Sequence, residues 1–152
     1  MALCKVNEKP KPFHLEFNKD EFRVFRDAVS DRLTIEEKAS FWNRHVWMRN
    51  FLKAILDRLS EFEEQGLATD ATGAICLFDL FWPLSKELQR KLAKHEWTTI
   101  QERDALEKVA SIIAKFLVTI RVQCVVEVNN HGPLAPWGNL RELAIRCQKL
   151  PP

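Results

Sequence analysis

One stretch of the sequence decides the fold: residues 99–128 read TIQERDALEKVASIIAKFLVTIRVQCVVEV. Apolar residues recur in this stretch at steps of mostly three and four, which is the period of an amphipathic helix. Thr99 and Glu102 stand three residues apart, as in the capping box that opens many helices. The pattern therefore predicts a helix of about 30 residues, roughly 45 Å long at ~1.5 Å per residue. Its apolar stripe is Leu106, Val109, Ile113, Phe116, Ile120 and Cys124.

The second half of this stretch also has the pattern of a β-strand. Over residues 118–128 every second position is apolar, and β-branched residues, which are typical of strands, predominate. Residues 13–17 alternate in the same way, so they form either a partner strand or an extended segment against the helices. We prefer a helix for residues 118–128 because residues 35–64 form a second periodic stretch of equal length, and equal lengths suit antiparallel helices.

Two capping signals divide the N-terminal half into two predicted helices. The first helix opens at Asn18, with Glu21 as its capping-box partner, or at Asp20. Thr34 with Glu37 opens the second helix, which extends over residues 35–64. The apolar residues of the second helix again recur at steps of mostly three and four. They are Ile35, Ala39, Trp42, Val46, Leu52, Ile55, Leu59 and Phe62.

The third helix is predicted to be central because residues 74–82, AICLFDLFW, are apolar on nearly every side. Pro83 follows them and has no N–H to donate to the carbonyl of Asp79, so the helix must kink or restart there. Asn139 is placed to cap a short final helix. We therefore predict an all-α fold, an up-and-down bundle of four main helices with the third kinked at Pro83, plus a short C-terminal helix. Residues 1–12 would be a flexible arm and residues 13–150 a single domain.

Composition excludes several classes of protein. The 23 basic and 21 acidic residues leave a net charge of +2, too small to attract nucleic acid strongly. No signal peptide is recognisable, and no uninterrupted apolar run approaches the ~18 residues of a membrane span. The cysteines are scattered, without a C-x-x-C pair, which is typical of reduced thiols in a cytoplasmic protein. They are Cys4, Cys76, Cys124 and Cys147.

The sequence contains none of the common catalytic or metal-binding signatures. None of the four histidines has Glu three residues before it, and no two of them are four residues apart. This removes the patterns of di-iron bundles and of zinc hydrolases. There is no Gly-x-Ser-x-Gly, and the chain has only four glycines, too few for a glycine-rich phosphate loop. We expect no catalytic residue, no metal and no cofactor.

Two charged residues stand among apolar neighbours. Asp79 and Arg121 each have apolar residues three and four positions away on both sides of a helix. A buried, unpaired ion costs several kcal/mol, so we expect these two residues to pair with each other, or with Arg44 or Arg49. The alternative is that Asp79, with Trp82, lines an internal pocket near Pro83.

Tryptophan and arginine alternate in the second predicted helix. Trp42 and Trp47 are five residues apart, roughly 140° around a helix at ~100° per residue, so one face cannot bury both. With Arg44 and Arg49 beside it, Trp47 resembles the anchors that dominate protein interfaces. The leading hypothesis is a non-enzymatic interaction module that contacts a protein partner or a second copy of itself as a dimer. The second is a bundle that binds a small apolar ligand near Asp79, Trp82 and Pro83, and the third is an enzyme.

Overall fold

The computed structural model describes residues 11–39, 46–131 and 138–151. The predicted all-α class is confirmed, because helices dominate these ranges and the strands form one small sheet. The elements in chain order are β1 (Phe13–Leu15), α1 (Lys19–Lys38), α2 (Val46–Asp57), α3 (Leu59–Gln65), β2 (Leu67–Thr69), α4 (Ala71–Ala93), α5 (Ile100–His131) and α6 (Gly138–Cys147). The predicted flexible arm lies almost wholly outside the described residues.

The helix predicted from the opening stretch is α5, and residues 118–128 are helical throughout. Thr99 caps it, since its Oγ1 accepts the N–H of Glu102 at 3.1 Å. The carboxylate of Glu102 accepts the N–H of Thr98 at 2.9 Å, one residue before the predicted position. Residues 118–128 do not form a strand, because the side chains that pack into the core are those at helical spacing. Its buried members include Ile113, Phe116, Ile120 and Cys124.

The predicted helix over residues 35–64 is wrong. The first helix, capped by Asn18 and Glu21 as predicted, continues through Thr34 to Lys38. Thr34 is therefore not a cap: its Oγ1 donates to the carbonyl of Ser30 at 3.0 Å, a bond that lets threonine sit inside a helix. Further along, Arg58 leaves helical geometry at φ −125° and ψ 23°, which separates α2 from α3. Of the predicted apolar stripe, Leu52, Ile55 and Phe62 are buried, whereas Ile35 and Val46 are exposed.

The small sheet joins the two ends of the N-terminal half. β1 pairs antiparallel with β2, with Phe13 opposite Thr69 and Leu15 opposite Leu67. Gly66 precedes β2 at φ +77°, and a Cβ there would lie 2.6 Å from the carbonyl oxygen of Leu15, so only glycine fits without strain. The predicted strand at residues 13–17 is thus real over Phe13–Leu15, but its partner is β2 and not residues 118–128.

The side chain of Gln123 closes the other edge of β1. Its Oε1 accepts the N–H of His14 at 3.0 Å, and its Nε2 donates to the carbonyl of His14 at 2.7 Å. The amide therefore takes the place of a neighbouring strand, which satisfies backbone groups that an edge would leave open. This contact fixes β1 against α5.

The central element is α4, which contacts α1, α2, α5 and α6. It starts after Asp70, whose Oδ1 accepts the N–H of Gly73 at 2.9 Å. Ten of its residues are buried, as expected for the most apolar segment. The helix continues through Pro83 without a restart. Its phenylalanine Phe81 lies 5.1 Å from Phe116 of α5 between ring centroids, at the centre of the core.

Candidate functional site

A groove of about 670 Å³ lies where α1, α2, α4 and α6 meet. Its walls are mostly apolar, and charged side chains line it at three positions. Ile75, Cys76 and Met48 are buried at its base, whereas Trp47 is 60% exposed. The lining residues are Arg32, Val46, Trp47, Met48, Ile75, Cys76, Asp79, Trp82, Pro83 and Arg146.

The groove brings together residues that the sequence placed in separate hypotheses. Trp47 was predicted as an interface anchor, and Asp79 and Trp82 as part of a pocket; all three line the same groove. Trp82 is half-buried, stacked on Phe78 at 5.9 Å between ring centroids. Lys86 Nζ lies 4.5 Å from the Trp82 ring centroid, within the range of a cation–π interaction. The sequence had no means of joining α2 to α4 at this point.

The partner of Asp79 is Arg146, and the predicted pairing with Arg121 is wrong. Nε of Arg146 donates to Oδ1 of Asp79 at 2.9 Å, and its Nη1 lies 3.3 Å from a carboxylate oxygen of Glu142. The two carboxylates raise the pKa of Arg146, the hydrogen bond to Asp79 most of all. Asp79 is also less buried than predicted, with 40% of its side chain exposed. The position of Asp79 in its helix could not show that α6 packs against this side of α4.

Arg121 lies in a different cleft. Its Nη1 donates to the carbonyl of Pro151 at 2.5 Å, which ties the end of the described chain to α5. This second cleft has a volume of about 350 Å³ and runs between α5 and α6. The charge of Arg121 is therefore stabilised by a carbonyl oxygen near the C-terminus rather than by a carboxylate across the core.

Pro83 accounts for a contact between Arg32 and Asp79, two residues that line the groove. Because proline has no N–H, the carbonyl of Asp79 lacks its normal helical donor. Nη1 of Arg32 donates to this carbonyl at 3.2 Å, while Nε of Arg32 donates to the buried Glu36 at 2.8 Å. The sequence predicted that the carbonyl of Asp79, four residues before the proline, would lack its helical donor. It could not predict that Arg32, which is 47 positions away, would be the donor that replaces it.

Of the residues predicted to form an interface, only some lie in the described part of the chain, and not all of these line the groove. Arg49 is half-buried and does not line the groove; within the part of the chain that the structure describes, its Nε has no hydrogen-bond partner. Arg44 and Trp42 lie outside the described residues. Trp47, next to the exposed Val46, is thus the one member of the predicted interface that the described groove contains.

The groove holds a thiol that is not prepared for nucleophilic chemistry. Burial, with a smaller contribution from Asp79, raises the pKa of Cys76 to about 11. At neutral pH this cysteine is a protonated thiol, and the thiolate is the nucleophilic form. Among the residues of known position, no three His, Cys, Asp or Glu side chains are grouped so that they could hold a metal ion.

A second apolar surface lies on α5. Val118, Val122, Val125 and Val126 are 43% to 54% exposed and follow one another along the helix at steps of one to four residues. By length and composition, α5 could also cross a membrane: over Ile100–Asn130 an 18-residue window has a mean hydropathy of 1.9, with 33% of it buried. Core helices of soluble proteins pass the same test, so this finding alone does not place α5 in a membrane.

Comparison with known proteins gives no relative. No family model, no curated protein and no solved structure matches this chain significantly.

Proposed function

We propose that this chain is a non-enzymatic interaction module of a regulatory or inhibitor-like kind, and that its groove receives an apolar segment of a partner protein. The observation that carries the proposal is Trp47, a large apolar ring that is 60% exposed beside an apolar groove of about 670 Å³. Tryptophan is among the residues that most often dominate binding energy at interfaces. We expect an exposed tryptophan beside an apolar groove where a partner protein covers its ring.

The form of the groove fits an amphipathic helix or a short extended segment. Its base is apolar at Met48, Ile75 and Cys76, and would take the apolar side chains of such a segment. Arg146 and Asp79 carry charge at the same groove, where they can hydrogen-bond the polar atoms of the occupant. An apolar centre with polar groups around it is the usual anatomy of a protein interface.

A second candidate is a small apolar ligand. The volume of the groove lies within the ~300–1,000 Å³ that is typical of small-molecule sites, and Trp82 and Pro83 line it as that hypothesis expects. The exposure of Trp47 favours the protein partner, because a ligand site normally encloses its aromatic side chains. Both candidates use the same residues, so the experiment has to separate them.

Selection of peptides from a displayed random library would test the proposal. We expect selected peptides to share apolar positions at helical spacing, and Trp47→Ala to weaken their binding about 30-fold, the equivalent of a 2 kcal/mol hot spot. Trp97→Ala is the matched control, because Trp97 is a half-buried tryptophan outside the groove. Isothermal titration with the synthetic peptide gives the affinities.

Two outcomes would count against the partner-protein proposal. If Trp47→Ala and Trp97→Ala bound the peptide equally well, the groove would not be the binding site. If no peptide were selected, but 8-anilinonaphthalene-1-sulfonate bound in a manner that Trp47→Ala weakened, the small-ligand candidate would replace it.

The remaining expectations stay part of this proposal. They are an up-and-down order of the main helices, the kink at Pro83, a cytoplasmic location and self-association as a dimer. The exposed valines of α5 support the dimer, since apolar side chains in a continuous row tend to be covered. Light scattering of the purified protein measures its oligomeric state directly.

A further inference from the structure

Two cysteine thiols meet between α5 and α6. Cys124 lies on α5 and Cys147 is the last residue of α6, and both are buried, at 2% and 7% exposure. Their side chains hydrogen-bond each other, and neither is in a disulfide. Both line the cleft of about 350 Å³ that also contains Arg121. They are 23 positions apart in the sequence, so only the packing of α6 on α5 brings them together.

Contacts on both sides of the cysteine pair hold it in place. Arg146, the residue before Cys147, is bound to Asp79 of α4 at 2.9 Å. Arg121, one helical turn before Cys124, donates to the carbonyl of Pro151 at 2.5 Å. Leu143, one turn before Cys147, is completely buried. The C-terminal segment is thus fixed to α4 and α5 around the two thiols, which keeps the sulfur atoms as neighbours.

We propose that Cys124 and Cys147 are a dithiol that peroxide converts to an intramolecular disulfide, so that α6 becomes covalently joined to α5. The sulfur of Cys124 attacks one oxygen of hydrogen peroxide, the O–O bond breaks, and a sulfenic acid and water form. The sulfur of Cys147 then attacks the sulfur of Cys124, the S–O bond breaks, and a second water leaves with the proton of Cys147. In total two thiols and one peroxide give one disulfide and two waters.

The two cysteines have different roles because their environments differ. The hydrogen bond from Cys147 lowers the pKa of Cys124, although burial opposes this effect. The same contact, together with burial, raises the pKa of Cys147. Cys124 therefore has the greater thiolate fraction and reacts first, since the thiolate is the nucleophile. Cys147, already in contact, resolves the sulfenic acid before it can be oxidised further.

The cleft supplies the route for the oxidant. Hydrogen peroxide is little larger than water, and the cleft walls of Arg121, Cys124 and Cys147 leave a space many times that size. Cys76 provides the contrast within the same chain. It is buried with a pKa raised to about 11 and lies in the other groove, so it should stay a thiol under the same treatment.

Peptide mapping of the oxidised protein tests the inference. The reduced full chain is treated with hydrogen peroxide in native buffer, alkylated with N-ethylmaleimide in denaturant, and digested with trypsin. We expect the tryptic peptide 122–141 to be linked to peptide 147–149 by a disulfide, and Cys76 to be alkylated. Because the wild-type chain is used, this result does not depend on any variant folding.

Three variants sharpen the test. Cys124→Ser and Cys147→Ser should each abolish the linked peptide, whereas Cys76→Ser, a buried-cysteine control, should retain it. Unmodified Cys124 and Cys147 after treatment, a disulfide that includes Cys76 or Cys4, or oxidation of Cys124 only to sulfinic acid would each overturn the inference. So would a link that forms only after unfolding in urea.

Discussion

Arg32 supplies the hydrogen bond that Pro83 withholds from the carbonyl of Asp79, with Nη1 and the carbonyl oxygen 3.2 Å apart. The contact links α1 to the middle of α4, and both residues line the groove. A buried or half-buried carbonyl without a donor costs about 1–3 kcal/mol. The guanidinium therefore allows a proline to stand inside the central helix without leaving its carbonyl unsatisfied.

A double-mutant cycle between Arg32 and Pro83 checks this relationship. Arg32→Met should lower the free energy of unfolding, because it leaves both the Asp79 carbonyl and Glu36 without this donor. In the Pro83→Ala background the new N–H can bond the carbonyl, so the same mutation should cost about 1 kcal/mol less. Urea unfolding measures the four free energies. Equal costs in the two backgrounds would show that Arg32 does not serve the carbonyl.

The ion pair of Asp79 with Arg146 is tested by a second cycle. Asp79→Asn with Arg146→Met should give a coupling energy of about 0.5–1 kcal/mol, modest because both side chains are partly exposed. Asp79→Asn with Arg121→Met is the matched control and should be additive, since Arg121 lies in the other cleft. A coupling energy between Asp79 and Arg121 instead of Arg146 would contradict the ion pair seen in the structure and support the one predicted from the sequence.

Glu21 should make stability depend on pH in the acid range. Burial raises its pKa, but hydrogen bonds from Lys115 and from the N–H of Asn18 outweigh this and leave the pKa below its ordinary value of 4.5. A carboxyl group with a lowered pKa stabilises the fold fully above its unfolded pKa, and that stability is lost as the pH falls through its folded pKa. Glu21→Gln should therefore be less stable than wild type at pH 7, with the difference shrinking below about pH 4.5.

Thermal unfolding followed by circular dichroism between pH 7 and pH 3 measures this difference. Glu16→Gln is the control, because the side chain of Glu16 is 85% exposed and its nearest charged group among the described residues is His14, at 3.9 Å. A stability difference between Glu21→Gln and wild type that stayed constant down to pH 3 would contradict the argument.

Gln123 should be needed for β1 to stay in place. Gln123→Leu keeps the size of the side chain but removes both hydrogen bonds to the backbone of His14, and we expect a loss of about 1–3 kcal/mol. Hydrogen exchange at the amide of His14 should become faster, while the amide of Cys124 stays protected. Gln101→Leu, on an exposed position of α5, is the control and should change neither quantity. Unchanged exchange at His14 in Gln123→Leu would show that another group protects it.

Only interactions local in the chain could be predicted from the sequence with accuracy. The capping box of Asn18 and Glu21 and the cap at Thr99 each involve groups within about four residues. The same kind of signal failed at Thr34, because a threonine three residues before a glutamate also fits inside a helix when its hydroxyl bonds the preceding turn.

The sequence by itself determined that α5 begins as a helix with one buried stripe and that residues 74–82 are central, since both follow from the spacing of apolar residues. For residues 118–128 the spacing fitted a strand as well, and the length argument that favoured a helix relied on residues 35–64, which do not form one helix. Only the tertiary structure decided that Asp79 binds Arg146, that Trp47 and Trp82 share a groove, and that Cys124 meets Cys147. Periodicity states which side of a helix is buried, but not which helix covers it. That choice is made when all the helices pack at once, and no segment carries it alone.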